Sequence, residues 1–448
     1  IRRQRQMCIR DRYLQRAIAL DPSREPVYLH LAIAHARSGE LEQATEVLKT
    51  LLQRNPESLS GALALARLYR ETGLESLAED AYRNLLLKRP GFEPAALELG
   101  VMFEGRDEVG KAVDLYRTAL RTNPQAFALR HHLVRLLIAQ NRLDEAQLEL
   151  EAILQLNPDD LEARRKLGLI HLEQERWAEA ATQFAAILSR NPDLDQIRFY
   201  LGTAQERLEK WREALESFSA IPDDSELHPD ALSHQAYLLY RLDRVAEAIA
   251  LLERRLDAGV SRPQLYSFLA SLYDAQNSLD GALHALERGL TRHPDDVDLL
   301  YEKGVVLERK GESDAALASM QKVIELEPEN AEALNFVAYA YAERGEKLEE
   351  ALRLARRARQ IKEEGHIIDT LGWVYFRLGR LEEARRELET AVGLLSDDPL
   401  VLEHLGDVYR ALGLRTEARD TYRRVLDLNP SAAGVSDKLQ GLPPESKR

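Results

Sequence analysis

The chain holds one cysteine in 448 residues, Cys8, which excludes an intrachain disulfide framework and a multi-cysteine zinc site. No run of about 18 apolar residues occurs, so no helical membrane span is expected. Basic charge is not in excess. The 61 Lys and Arg are outnumbered by 75 Asp and Glu, for a formal charge of -14, which argues against a nucleic-acid partner. Reaction motifs are missing too: there is no H-E-x-x-H, no phosphate-cradling glycine loop and no G-x-S-x-G nucleophile elbow. His131 and His132 are the only adjacent histidines, and neighbours on a helix point about 100° apart, so they do not converge on one metal. The acidic pairs Asp159-Asp160, Asp295-Asp296 and Asp397-Asp398 lack the dense oxygen spacing of a calcium loop. No catalytic residue, cofactor or metal ligand is therefore expected. Aromatics are scarce, at 6%, so the large rings that do occur carry positional information.

What is present is a period. Pro22, Pro56, Pro90, Pro124, Pro158 and Pro192 stand 34 residues apart, room for two antiparallel helices and two turns. The phase continues as Leu99-Gly100, Phe103, Ala112, Tyr116, Ala119 and Pro124 in one unit. It reappears as Leu167-Gly168, His171, Ala180, Phe184, Ile187 and Pro192 in another, and as Leu405-Gly406, Tyr409, Ala418, Tyr422, Val425 and Pro430 in a third. A small residue where the helices cross and a large one opposite give close packing. Ser38-Gly39, Thr72-Gly73, Lys310-Gly311, Arg344-Gly345 and Leu378-Gly379 supply turns in which glycine takes positive φ, and Asn-Pro or similar ends most units. Aspartates after the proline, and acids such as Glu40 after the glycine turn, are expected to start the next helix.

These offsets resemble the tetratricopeptide repeat pattern W-x2-L-G-x2-Y…A-x3-F…P over nearly the whole chain. The resemblance implies an all-α fold, a right-handed superhelical α-solenoid of antiparallel helix pairs. Twelve full units are expected over 25–432, starting at 25 and every 34 residues to 399, after a partial unit at 13–24 that keeps only its second helix. Irregular joints are expected near 219–262 and 345–367, and a polar tail or short cap over 433–448. Gln6-Met7-Cys8-Ile9-Arg10-Asp11-Arg12 resembles a translated sequencing adapter, so residues 1–12 read as an artefactual or disordered leader and the native start before Tyr13 as missing.

The resemblance also implies that the first helix of each unit, helix A, lines a concave groove through its positions 2, 5, 9, 12 and 13. In the earlier half these include Arg67, Arg70, His131, Arg135, Arg165 and Arg207; in the later half Tyr237, Tyr240, Tyr301, Asn335, Tyr339, Trp373 and Phe376. The expectation is a noncatalytic scaffold that binds a protein or peptide segment through Arg67, His131, Arg135, Arg165, Tyr237, Tyr301, Asn335, Tyr339 and Trp373. Acidic groups of the partner would face Arg135 and Arg165, and apolar groups Tyr339 and Trp373. The competing account of Tyr339 and Trp373, and of Trp177 and Trp211, is packing. The carboxylate clamp of chaperone-binding relatives needs asparagines that His131, Arg165 and Phe199 replace. An alternative is a fragment of a larger enzyme or polysaccharide-secretion or envelope-assembly protein, with this region as its partner- or substrate-selecting arm. A third is an RNA- or regulatory-peptide-binding repeat, which the negative charge disfavours. Self-association stays open. The style of Asp369–Gly379 resembles bacterial proteins of the cytoplasm or of the cell envelope and periplasm.

Overall fold

Every described element is a helix, because alanine- and leucine-rich stretches alternate with short turn segments at an unbroken helical period. The computed structural model describes residues 2–443, with the side chains of 10–432 and 434–443. Residue 1 and the end of the polar tail, 444–448, lie outside the described residues.

The chain divides into two units, 1–221 and 222–448. The first contains α1 (Arg2–Leu20), α2 (Glu25–Arg37), α3 (Leu41–Arg54), α4 (Leu59–Glu71), α5 (Glu75–Lys88), α6 (Glu93–Gly105) and α7 (Val109–Thr122). It continues with α8 (Phe127–Ala139), α9 (Leu143–Leu156), α10 (Leu161–Glu173), α11 (Trp177–Leu188), α12 (Asp195–Arg207) and α13 (Trp211–Ser219). The second contains α14 (His228–Arg241), α15 (Val245–Asp257), α16 (Pro263–Ala275), α17 (Leu279–Arg292), α18 (Val297–Arg309), α19 (Ser313–Leu326) and α20 (Ala331–Arg344). It closes with α21 (Leu348–Ile361), α22 (Gly365–Arg377), α23 (Leu381–Leu394), α24 (Pro399–Ala411), α25 (Arg415–Leu428) and the short α26 (Ala433–Gln440). Residues 2–12, read from the sequence as a leader, form the first part of α1.

Even-numbered helices from α2 are the A helices and the odd ones that follow them the B helices. Within each unit of the chain, A packs on its own B and B on the next A, and the A helices also pack on one another at α2–α4, α6–α8, α14–α16, α16–α18, α20–α22 and α22–α24. The crossing is set by glycine against a ring. A Cβ on Gly100 would lie 2.2 Å from Tyr116, on Gly168 2.6 Å from Phe184, and on Gly406 2.5 Å from Tyr422. Those rings are fully buried. The apolar seam is continuous from Leu63 to Ile170 in the first unit and from Leu300 to Val408 in the second.

Starts and stops follow different rules. Five of the A helices, α4, α10, α18, α20 and α24, are capped by side chains, and α2, α6, α8, α12, α14, α16 and α22 are not: Asp160 accepts from the Ala163 amide at 2.7 Å, Asp296 from Leu299 at 3.0 Å, and Asp398 from Leu400 and Val401. Among the described residues B helices are not, with the exception of α17, where Ser278 accepts from Gly281. The acid at Glu40, expected to start α3, makes no cap; its carboxylate instead reaches His35 Nδ1 at 2.5 Å. Between A and B each repeat has one left-handed residue in the same register. Gly39, Gly73, Gly311, Gly345, Gly379 and Gly413 occupy it in six repeats, and Asp107, Asn141, Glu175, Glu209, Asp243 and Asn277 in the others. Lys347 adds a second left-handed residue after Gly345, and α20 is one residue longer than α18.

Candidate protein-binding face

The A helices of successive repeats touch through side chains spaced by about one period, and these contacts build the face on which the candidate residues lie. In the first unit the face is a ladder of ion pairs. Arg67 on α4 donates to Glu98 on α6 at 2.7 Å, Arg70 stands 3.3 Å from the same carboxylate, and Tyr82 donates to it at 2.6 Å. One repeat on, Arg135 on α8 pairs with Glu104 on α6, which also accepts from Tyr116 at 2.9 Å. Arg165 is held by Glu162 on its own helix at 3.1 Å. His131 Nε2 lies 3.2 Å from the capping carboxylate of Asp160, with its ring edge-on to Phe127 at 4.6 Å. Arg207 lies over the Trp177 ring at 5.5 Å. The hydrogen bond to Glu98 holds the Arg67 guanidinium above its ordinary pKa, and that to Glu162 does the same for Arg165. Arg67, Arg70, Arg135 and Arg165 are thus each matched by a carboxylate, and the first unit, with 31 basic and 33 acidic side chains, is close to neutral.

The face of the second unit is aromatic and acidic. Tyr237 takes a hydrogen bond from Arg241 at 2.9 Å, and the same guanidinium lies 5.8 Å from its ring. Tyr240 is 45% exposed. Tyr301 and Tyr339 are half-buried against the apolar seam. Burial raises both phenols, and Glu343, Asp369, Glu403 and Glu308 around Tyr339 push it to about 12. Asn335 keeps its side-chain carbonyl oxygen buried with no hydrogen-bond partner. Trp373 is 9% exposed. Its indole N–H donates to Glu343 at 2.6 Å, one face stacks on His404 at 4.1 Å, and Phe376 stacks at 5.0 Å. His404 in turn donates Nδ1–H to both oxygens of Asp369, at 2.9 and 3.0 Å, and both residues are buried. At the end of the array Lys438 on α26 bonds Glu403 at 2.7 Å and Asp407 at 2.6 Å.

The structure brings Asn335, Tyr339 and Trp373 onto adjoining helices and sets the first unit's residues on others. Sequence reasoning missed the carboxylates that complete the face, Glu98, Glu104, Glu343 and Asp369. Their signal was available: each lies 30 to 35 residues from its partner, close to one period.

One cluster has the composition of a metal site. Glu332, Glu364 and His366 offer ligand atoms within 4.8 Å of one another. The Lys362 ammonium already lies between the two carboxylates, 2.9 Å from Glu332 and 2.8 Å from Glu364, and supplies the positive charge. Those two hydrogen bonds raise its pKa. Among the described residues no helix is long and apolar enough to cross a membrane.

Helix pairs of fixed period, a glycine–ring crossing and A-on-A ladders define a helix-pair repeat protein. The sequence matches the tetratricopeptide repeat family over 63–127, 132–195, 199–261, 269–325, 308–365 and 370–433, and a second tetratricopeptide repeat pattern over 12–60. The chain belongs to the tetratricopeptide repeat family, and its fold class is the family's all-α, right-handed helix-pair solenoid. Membership gives it the general role of a noncatalytic scaffold for protein and peptide binding. No curated protein matches it in sequence. Among solved structures it is similar to Naa15/Naa10 bound to HypK-THB, at 14% identity, covering 93% of this chain and 70% of that one, with a TM-score of 0.48. It is also similar to TTC0263, a thermophilic tetratricopeptide protein of Thermus thermophilus, at 23% identity, covering 40% and 97%, with a TM-score of 0.34. The MamA protein aligns at 22% identity over 38% and 94%, with a TM-score of 0.33.

Proposed function

We propose that the A-helix face of this array is a groove that receives a peptide or protein segment, with the contacts concentrated on the second unit. The observation that carries this reading is the set of half-buried rings at two of the positions on that face, Tyr237 on α14 and Tyr339 on α20 at position 9 of their repeats and Tyr301 on α18 at position 5. A side chain needed only for packing is better served there by leucine, as at Leu63 and Leu97 at position 5 and Leu169 at position 9, which pack against the apolar seams of their repeats. A tyrosine left partly in solvent offers an apolar body and a polar tip to a partner at low entropic cost. Asn335 adds an acceptor that the fold leaves unpaired. Trp373 serves the face from below, as the packed support that fixes Tyr339 and Glu343. Arg67, His131, Arg135 and Arg165 contribute as paired, rigid polar contacts rather than as free cations.

Selection of a random peptide display library on the full chain, followed by hydrogen exchange with a selected peptide bound, tests this. Protection is expected on the A helices α14 to α22. Protection confined to the B helices or the turns would refute it.

A further inference from the structure

The B helices α5 and α7 both pack on α6, and a cleft of about 470 Å³ opens between them. Its floor is Leu99 and Phe103 of α6, both buried. Its apolar walls are Leu86 and Leu87 of α5 and Leu115 of α7, and Arg83, Lys111, Asp114 and Thr118 complete the lining. Arg83 and Lys111 lie over the Phe103 ring, 5.5 and 5.8 Å from its centre.

Leu87 is the anomaly. It lines the cleft without filling it and is 79% exposed. It occupies position 29 of its repeat, where Gln53, Arg121, Gln155, Thr291, Glu325 and Asp427 stand in others, and no other full repeat carries an apolar side chain there. Leu77, on the same helix, is 47% exposed at position 19, which glutamate holds in most of the other repeats, among them Glu145, Glu247 and Glu417. One exposed leucine is ordinary on a protein surface. Two on one helix at registers that are polar elsewhere, beside an unfilled apolar cleft, mark a contact surface.

Charge and shape indicate what covers it. The first unit carries 31 basic and 33 acidic side chains and the second 30 and 42, which makes -2 against -12. Copies of this chain therefore repel one another least through their first units. The lining of the cleft holds both signs. Asp114 is exposed and has no Lys, Arg or His within ion-pair distance among the described residues, while Arg83 and Lys111 are held by Glu79 and Glu108 at 2.8 Å. A partner selected by charge would call for a rim of one sign. A projecting leucine, a hole large enough to take it and both signs of charge side by side make a surface that is its own complement about a two-fold axis.

We propose that the outer face of α5 and α7 joins two copies of this chain, Leu87 of each entering the α5–α7 cleft of the other while Asp114 meets the cations lining that cleft. The contact uses B helices and leaves the A-helix face to the peptide segment proposed above.

Sedimentation velocity on the full chain, from about 1 to 100 µM, tests the assignment. A species of twice the chain mass is expected to grow with concentration. Leu87→Glu should weaken association at least about tenfold. Leu148→Glu makes the same change at an exposed leucine of α9 and should shift it by less than about twofold. Circular dichroism confirms that each variant is folded. Amides of α5 and α7 should gain protection from hydrogen exchange as concentration rises, in the unaltered chain and in Leu148→Glu but not in Leu87→Glu. The A-helix groove is tested separately by the peptide selection, so either reading can fall alone. A single-chain mass across the whole range, a dimer as tight in Leu87→Glu as in the unaltered chain, or equal weakening by the two substitutions would overturn the proposal.

Discussion

Gly100 is the sharpest place to test how this array holds together. A Cβ added there would sit 2.2 Å from Tyr116 Cε1 and 2.3 Å from Cζ and Oη, whereas ordinary contact begins near 3.4 Å. The ring would have to retreat by more than an ångström. It has nowhere to go, since Tyr116 is fully buried and its hydroxyl is tied to Glu104 at 2.9 Å. Overpacking of this kind costs about 1–3 kcal/mol. Replacing glycine by alanine inside a helix returns about 1 kcal/mol. Gly100→Ala should therefore lose up to about 2 kcal/mol locally. Two comparators separate crowding from backbone effects. At Gly304 the nearest atom is the terminal methyl of Met320, at 2.7 Å, which can rotate away, so Gly304→Ala should be close to neutral. At Gly110 nothing lies within 4 Å, so Gly110→Ala should stabilise by about 0.5–1 kcal/mol. Because a repeat array opens in pieces, the assay is native-state hydrogen exchange read helix by helix. Amides of α6 and α7 should exchange about tenfold faster in Gly100→Ala. Exchange in α6 and α7 unchanged by Gly100→Ala, or a larger effect at Gly304 than at Gly100, would refute the crossing argument.

Three further outcomes follow from the same geometry. Glu175 and Glu209 sit at φ 57 and 58, in a register that glycine fills elsewhere, so Glu175→Gly or Glu209→Gly should raise local stability by about 0.5–1 kcal/mol and Gly311→Ala should lower it, measured by exchange in the flanking helices. Tyr339 and Tyr409 are pushed up to about 12, mainly by burial, from an unfolded value near 10. The protonated phenol is the form the fold favours, so their stabilisation is complete below the unfolded value and lost as pH rises through the folded one; ultraviolet absorbance should show these rings ionising with the alkaline unfolding rather than before it. Asp369→Ala leaves the buried Nδ1–H of His404 without its acceptor and should cost about 1–3 kcal/mol, seen as faster exchange in α22 and α24, while α6 and α7 are unaffected.

The glycine-marked turns could be read at sight, yet half of the left-handed positions carry Asp, Asn or Glu. The period located them all, since they share one register with Gly39 and Gly311. Helix starts split in the same way. Asp160 and Asp296, each two residues after a proline, do cap, as does Asp398 before Pro399, whereas α12 after Pro192-Asp193 starts without a side-chain cap and Glu40 turns to the His35 ring. The arginines of the first unit looked like a basic lining because a sequence shows which charges exist and not which are matched. Arg67 and Arg135 meet Glu98 and Glu104 only because consecutive A helices lie side by side, which brings residues 31 positions apart into contact.

The sequence by itself determined the repeating unit, the helix pair, and the small-against-large crossing, because each depends on spacing within one period. The tertiary structure decided which charges are spent and which remain. Trp373 went to packing against His404, the Arg67 and Arg135 guanidinium groups went to carboxylates one repeat away, and Glu302 was left partly buried without an ion-pair partner. Those outcomes depend on the distance between neighbouring repeats, a quantity that no local pattern of residues carries.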